Sequence, residues 1–341
     1  MANLMHIKKA AYIGLQDMSR ALVPSQGLKI KWFDRWNPIL EEALDSLPAL
    51  GDFPTELYIK LCQNPGPVRK RFALLTEDKD PVSIAWIRDK DSHWEPLTQW
   101  LLPGAIFPVK PGYFMRTLEV LGLDMWVGFW RWNTPPPESR LIRYHEATPT
   151  YGNGCSEDFE SYWRETGYFK TVRKQRNRCR QFKLAVNQSG SLEWTICNWE
   201  RKWRIDPKIE ASDLNDRLFI AKYLERMDQY FTFSLLDQDE IIAGATLMVQ
   251  GKDLVAGVNY RKPGYDWYGV GIYIMDRIFQ WAASSGYYNL DLGGLYDYKE
   301  KWAPQVGNRW VFNICPEHIY QARQVFSRIR NSMKILLKNN H

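Results

Sequence analysis

Ile241-Ile242-Ala243-Gly244-Ala245-Thr246-Leu247-Met248-Val249-Gln250 runs through Gly251-Lys252-Asp253 into Leu254-Val255-Ala256-Gly257-Val258-Asn259-Tyr260. Two apolar, β-favouring runs joined by a turn that offers a glycine for positive φ predict a β-hairpin. Arg261-Lys262-Pro263-Gly264 breaks the pattern, and Tyr268-Gly269-Val270-Gly271 then opens a segment in which Ile274, Ile278 and Trp281 share one helical face. Gly286 ends that helix, and Tyr288-Asn289-Leu290-Asp291-Leu292 reads as the next strand. A glycine-flanked helix start placed after a strand presents unpaired N–H groups and the positive end of a dipole, which suit a pyrophosphate.

An acidic-turn hairpin occurs twice in the chain. Phe72-Ala73-Leu74-Leu75 passes through Glu77, Asp78, Lys79 and Asp80 into Pro81-Val82-Ser83-Ile84-Ala85. Phe233-Ser234-Leu235-Leu236 passes through Asp237, Gln238, Asp239 and Glu240 into Ile241-Ile242-Ala243. Two copies of one unit at wide separation point to a duplicated domain rather than to a solenoid, whose periods are shorter. The cluster Pro149, Gly152, Asn153 and Gly154 marks a boundary, with the stiff Pro135-Pro136-Pro137 just ahead of it. The expected organisation is an N-terminal segment 1–27, a first domain 28–147, a second domain 148–316 and a C-terminal helix 317–341. In that helix Ile319, Ala322, Phe326, Ile329, Met333 and Leu336 recur at helical spacing.

Composition narrows the class. The 341 residues suffice for two domains, and 16 Trp, 18 Tyr and 15 Phe exceed the needs of a small core, leaving rings to line a groove. The net charge of +6 is concentrated: Lys170 to Lys183 holds seven Lys or Arg and no acid. Five scattered cysteines without short paired spacing argue for reduced thiols and against structural zinc. The first residues lack the apolar core of a secretory signal, and no run reaches a membrane-spanning length, so a soluble cytoplasmic protein is expected. His93, His145 and His318 stand without partners at metal-ligand spacing and receive no role; no metal is expected.

The segment Asp291-Leu292-Gly293-Gly294-Leu295-Tyr296-Asp297-Tyr298-Lys299-Glu300-Lys301-Trp302 resembles a strand-then-Tyr-Lys signature. It is that of the FemABX-like and CelD-like acyltransferases, a branch of the GNAT superfamily built from tandem GNAT-like domains. The arginine-rich stretch Arg173 to Arg180 is similar to the helix that precedes the second sheet in that family. The likeness is good over about 163–311 and weak in the first half. One departure is the helix start, where Tyr268-Gly269-Val270-Gly271 replaces the Ser-Pro-Gly-like start of relatives and stands closer to the Gly-x-Gly loop of ordinary GNAT enzymes.

The resemblance implies an α/β (α+β) fold of two tandem GNAT-like domains, each a mixed, mostly antiparallel sheet flanked by helices, with the donor held by the second. It implies acyl transfer from acyl-CoA or an acyl-carrier protein to a primary amine of a peptide, amino acid or glycan. Some GNAT-like maturases lipidate lysine or ornithine side chains of small ribosomal peptides, and this chain suits such work. The alternatives are a FemX-like aminoacyl transferase using charged tRNA and a non-catalytic module that keeps the fold. The absence of a Ser-His-Asp or Cys-His pattern fits direct attack on the bound donor.

Within that reading Lys299 supplies a fixed charge for a developing oxyanion or a donor phosphate. Asp291 and Asp297, at or just past a strand end, either accept the amine's proton or, for Asp297 above all, cap the following turn. Tyr260 and Tyr296 either line the acyl channel and protonate the leaving thiolate or pack as ordinary aromatics. Gly269, Val270 and Gly271 contact the donor phosphate through the backbone, with Arg261 and Lys262 alongside. Arg173, Arg176 and Arg180 form a row on the basic helix that either grips phosphates or is a solvated face.

Overall fold

The computed structural model describes residues 27–50, 53–65, 68–89, 94–98, 101–102, 107–124, 127–132, 141–155, 158–203, 207–294, 297–315, 320–321 and 325. It divides into two compact units. The first comprises residues up to 50, 69–146 and 310 onward, and the second comprises 51–68 and 147–309. The units interleave in sequence, which a single cut near 148 does not capture. The helix expected over 317–341 falls almost wholly outside the described residues.

In the first unit β1 (Lys29–Phe33), β2 (Lys70–Glu77) and β3 (Asp80–Asp89) form an antiparallel run. The short β4 (Trp94–Pro96) continues it, pairs in parallel with β5 (Val127–Trp132), and β5 pairs antiparallel with the end of the long strand Gln305–Ile314. Helices α1 (Pro38–Asp45) and α3 (Phe114–Asp124) belong to this unit. Asn37 caps α1, its Oδ1 accepting from the N–H groups of Ile39 and Leu40. Phe72, Leu75, Ile84 and Trp86 are buried, and Arg88 pairs with Glu95 wholly inside.

The second unit carries α2 (Thr55–Gln63), whose buried Leu57, Tyr58 and Leu61 seat it on α7 (Pro207–Glu225). Asn64 Nδ2 donates to Asp216 Oδ1 at 2.8 Å and Tyr223 donates to Glu56, fastening residues 51–68 to this unit. Its sheet runs in the order β6 (Ile142–Gly154, from residue 147), β11 (Asn289–Gly294), β10 (Asp253–Arg261), β9 (Glu240–Gln250), β8 (Tyr230–Asp237) and β7 (Lys183–Val186). Only the β10–β11 contact is parallel; β6–β11, β10–β9, β9–β8 and β8–β7 are antiparallel. A mixed, mostly antiparallel sheet flanked by helices is thus present, as the sequence led us to expect.

Both acidic-turn hairpins exist and share their detail. Glu77 pairs with Asp80 and Asp237 with Glu240, so each loop has the same length. The register slips between Leu75 and Thr76 in one and between Leu235 and Leu236 in the other, a β-bulge at the corresponding place.

Strand alternation assigns the two faces of the second sheet. Phe233, Leu235, Ala243, Ala245 and Leu247 point to one side, where they join Ile274 and Ile278 of α8 (Val270–Ser284) in a single core. Gly244 points to the other side, under α6 (Ser191–Trp203). A Cβ at Gly244 would lie 2.0 Å from Thr195 Oγ1, so the glycine is what lets α6 lie close to the strand. Gly244→Ala is therefore expected to lower stability by roughly 1–3 kcal/mol through overpacking. Adding Thr195→Ala should return part of that loss, read as a non-zero coupling in a denaturant-unfolding double-mutant cycle.

Candidate active site

The β10–β11 ladder is short. Asp253, Leu254 and Val255 face Asn289, Leu290 and Asp291, and the pairing ends there. Beyond it β10 keeps to β9 as far as Arg261, with an irregularity between Ala256 and Asn259, while β11 keeps to β6 through Gly293 and Gly294. Thr246 Oγ1 accepts from the Val258 N–H at 3.0 Å, tying down the irregular step in β10. The two neighbours therefore part, and a slot opens between the outer half of β10 and the end of β11.

Helix α8 begins at the end of β10. Between them the loop 262–269 is pinned: Lys262 pairs with Glu240, the Tyr265 hydroxyl donates to Asp237 at 3.0 Å, and Arg261 pairs with Asp266 at 3.2 Å. A short 3₁₀ turn, Asp266–Tyr268, ends at Gly269, whose φ of 63° lies in the left-handed region. Ile272 and Tyr273 N–H groups both donate to the Gly269 carbonyl. Among the described residues the N–H groups of Val270 and Gly271 have no backbone partner, as the first turn of a helix requires. This is the polar, positive end anticipated from Gly269-Val270-Gly271.

The end of β11 is a charged knot. Asp291 Oδ1 accepts from the Gly293 N–H at 2.6 Å, and its Oδ2 is ion-paired with Arg309, a residue only 8 % exposed. Lys299 donates through Nζ to the Leu292 carbonyl at 2.6 Å, and lies near Gly293 together with Arg309. The turn that carries Lys299 is fixed by Trp302, which is 3 % exposed and edge-packed on Trp163 and Tyr168. Trp163 Nε1 donates to the Trp302 carbonyl at 2.8 Å and Tyr162 donates to that of Glu300 at 2.6 Å. The aromatic three residues after Lys299 is thus its anchor.

Several residues singled out from the sequence sit differently from expectation. Asp291 is ion-paired with Arg309 and braces the Gly293 turn. Tyr260 packs edge-on against Trp194 of α6, with ring centroids 5.4 Å apart, on the face away from α8. Arg176 of α5 (Phe169–Arg178) is spent inside the fold: Nε donates to Asp276 Oδ2 at 2.9 Å, and its terminal nitrogen pairs with Asp276 and Glu160. Asp276 is fully buried on α8, and the bidentate pair locks α5 to α8. Arg173 and Arg180 remain exposed, on α5 and just past its end. Arg261 and Lys262 flank the helix start, each already paired with an acid. Tyr296 and the side chain of Asp297 lie outside the described residues, as do His93, His318 and the side chain of His145.

Three residues that received no site role from the sequence close on the helix start. Gln175 rests against Gly269, where a Cβ would be 2.6 Å from its Cδ. Arg178 donates to the Trp267 carbonyl at 2.8 Å, and the Cys179 thiol to that of Tyr268 at 3.2 Å. Gln175, Arg178 and Cys179 fall three and four residues apart on one helix face, a signal present in the sequence. It was masked by the adjacent arginines.

Cys155 and Cys179 offer no nucleophile here. Burial pushes Cys155 and Cys179 up to about 11, so both stay protonated at neutral pH. Burial likewise raises Tyr168 to about 12. No described helix is long and apolar enough to cross a membrane.

Residues 167–300 match the model of the acetyltransferase (GNAT) domain. That span contains the hairpin, the helix start and the Tyr-Lys turn, so the similarity to the GNAT domain falls on the second unit and on the elements described above. Among solved structures, FemX is similar over 86% of this chain and 99% of its own, at 10% identity and a TM-score of 0.50. A tandem GNAT protein from the clavulanic acid biosynthesis pathway covers 84% of this chain and 97% of its own, at 9% identity and a TM-score of 0.50. Comparison with curated proteins finds no match. The fold is that of the tandem-GNAT, FemX-like branch.

Asp276→Ala should destabilise the protein by about 3 kcal/mol by removing the buried half of the α5–α8 pair and leaving Arg176 with Glu160 alone, whereas Arg173→Ala and Arg180→Ala should leave the urea midpoint unchanged. Cys155 and Cys179 should resist iodoacetamide at pH 8 in the native protein and react after denaturation, as peptide mapping by mass spectrometry will show. Because the fold raises both thiol pKa values from 9.0 to about 11, their contribution to stability is intact below pH 9 and is lost as pH rises toward 11.

Proposed function

We propose that this protein is an N-acyltransferase that moves an acyl group from acyl-CoA or an acyl-carrier-protein thioester to a primary amine by direct attack. The observation that carries the reading is the parting of β10 from β11 beside an α-helix whose first N–H groups are unpaired. A pantetheine arm is extended and bears amides, so a strand edge released from its neighbour offers it hydrogen bonds. A phosphate suits the start of α8, where the dipole and the Val270 and Gly271 N–H groups are favourable to an anion. Gly271 keeps that approach unobstructed.

In this mechanism the amine attacks the thioester carbonyl, the π electrons move to oxygen, and collapse of the tetrahedral intermediate breaks the C–S bond. Lys299, held by the Leu292 carbonyl at the end of the slot, stabilises the negative charge on oxygen. Asp291 and Arg309 act indirectly, bracing the Gly293 turn against which the reacting groups lie. The proton lost by the amine ends on the leaving sulfur. The aromatic content supports an acceptor or acyl group with substantial apolar surface, including a long acyl chain or a lysine- or ornithine-bearing peptide.

The FemX-like alternative, transfer from charged tRNA, draws on the exposed Arg173, Lys174 and Arg180 at α5. Incubation with a panel of acyl-CoAs and amines, followed by mass spectrometry, separates the two. Amide formation without tRNA supports the proposal, and amide formation only with charged tRNA rejects it. Lys299→Met should lower kcat about 100-fold, the usual cost of losing one oxyanion partner, with KM for the donor little changed. An unchanged kcat removes Lys299 from the mechanism.

A further inference from the structure

The tetrapeptide Lys-Pro-Gly-Tyr occurs at Lys110-Pro111-Gly112-Tyr113 in the first unit and at Lys262-Pro263-Gly264-Tyr265 in the second. Each copy follows an acidic-turn hairpin and closes on it through the same bonds. The Lys110 N–H donates to the Val82 carbonyl and the Lys262 N–H to that of Ile242, both at 2.8 Å. Val109 lies antiparallel to Ser83 as Arg261 does to Ala243. Gly112 and Gly264 take φ of 82° and 93°, the left-handed values that a Pro-Gly turn of type II requires. The tyrosine hydroxyl then donates to the first carboxylate of the hairpin loop, Tyr113 to Glu77 and Tyr265 to Asp237. Acid and tyrosine stand 36 positions apart in one unit and 28 in the other. The closure is the same over different lengths of chain, so it belongs to the repeated unit and not to local turn chemistry.

The copies diverge just after the tyrosine. In the first, α3 begins at Phe114, and Arg116 of its first turn pairs with Glu77 while lying over the Tyr113 ring, 5.0 Å from the centroid. That helix is bolted directly to its hairpin. In the second, the 3₁₀ turn and Gly269 are interposed, and the Tyr265 ring packs on Phe182 and Tyr268, with centroids 5.9 and 6.2 Å apart. Tyr268 immediately precedes Gly269. Tyr265 therefore joins the hairpin acid to the last side chain ahead of the α8 start. We propose that Tyr265, through its bond to Asp237, is a positioning residue that holds the first N–H groups of α8 where the acyl donor meets them, and that Tyr113 is its twin with a bracing role only. The inference rests on the acyltransferase reading above and deepens it. Lys299 is held from the β11 side by the Leu292 carbonyl, independently of this clamp. Loss of the clamp should weaken donor binding and spare the chemical step.

The test compares Tyr265→Phe and Tyr113→Phe in the full chain, with acetyl-, octanoyl- and palmitoyl-CoA as donors and a lysine-bearing peptide as acceptor. Tyr265→Phe should raise KM for the donor roughly threefold to tenfold, the fold-change that one hydrogen bond supplies, with kcat within about twofold of wild type. Asp237→Ala should give the same rise and the double variant no more, whereas Asp237→Asn, whose amide oxygen still accepts the hydroxyl, should give a smaller one. Tyr113→Phe should leave both constants unchanged. Hydrogen exchange supplies a readout that needs no turnover: Tyr265→Phe should speed exchange over residues 262–272 and not over 110–118, and Tyr113→Phe the reverse. An unchanged KM, a loss confined to kcat, or an equal rise from Tyr113→Phe would overturn the positioning role while leaving the acyltransferase reading intact. A wild type that turns over none of the donors would overturn that reading, and the role of Tyr265 with it.

Discussion

The candidate site depends on two neighbouring strands that stop pairing. After Val255 and Asp291 each strand commits to its outer partner: β10 stays with β9 and β11 with β6. Backbone N–H and C=O groups seek partners wherever water is excluded, so a parted ladder persists only when something holds each side. On β10 the Thr246 hydroxyl ties down the irregular step at Val258. On β11 the Asp291 carboxylate bonds the Gly293 N–H, and Gly293 takes a φ of 71° as the strand turns away. The slot is a consequence of satisfied bonds on its two outer sides.

The position of α8 has the same origin. Only eight residues, 262–269, link the end of β10 to the helix, and ion pairs or hydrogen bonds from Lys262, Tyr265 and Arg261 hold that link down. The helix start therefore has to lie at the open end of β10. The buried Asp276–Arg176 pair then couples α8 to α5, and α5 in turn brings Gln175, Arg178 and Cys179 onto the turn that precedes α8. Charges buried in this unit fix geometry, while those left exposed on α5 remain open to ligands. A buried pair of this kind contributes little net stability, but it is costly to break on one side only. It thus specifies how the two helices meet.

The duplicated hairpin gives the two units a common element with equal loop length and a matching bulge, yet their later elements differ. In the second unit the strand after the hairpin runs into a glycine-bearing turn and a 15-residue helix. In the first, β3 leads to the short β4, and β4 pairs in parallel with β5 at Trp94 and Val127. The units are alike in the hairpin, and the proposed chemistry belongs to the turn and helix that, among the described residues, the second unit adds to it.

Much of this was legible in the chain itself. The hairpin over Ile241–Tyr260, the helix from Gly269 and the strand at Asn289 arise from local periodicity and from glycine, which short-range physics governs, and all three stand in the structure. The Tyr-Lys turn was legible as a likeness, and Trp302 took its place as the anchor of Lys299. What tertiary structure alone decided is which charges are consumed. Arg176 and Arg178 stand two apart in one basic run, yet one is locked to Asp276 and the other stacks on Trp267; Asp291 is claimed by Arg309, eighteen positions away. The partners of a charge are set by long-range packing, and nothing in the local pattern of a sequence records a neighbour that arrives from a distant strand or helix.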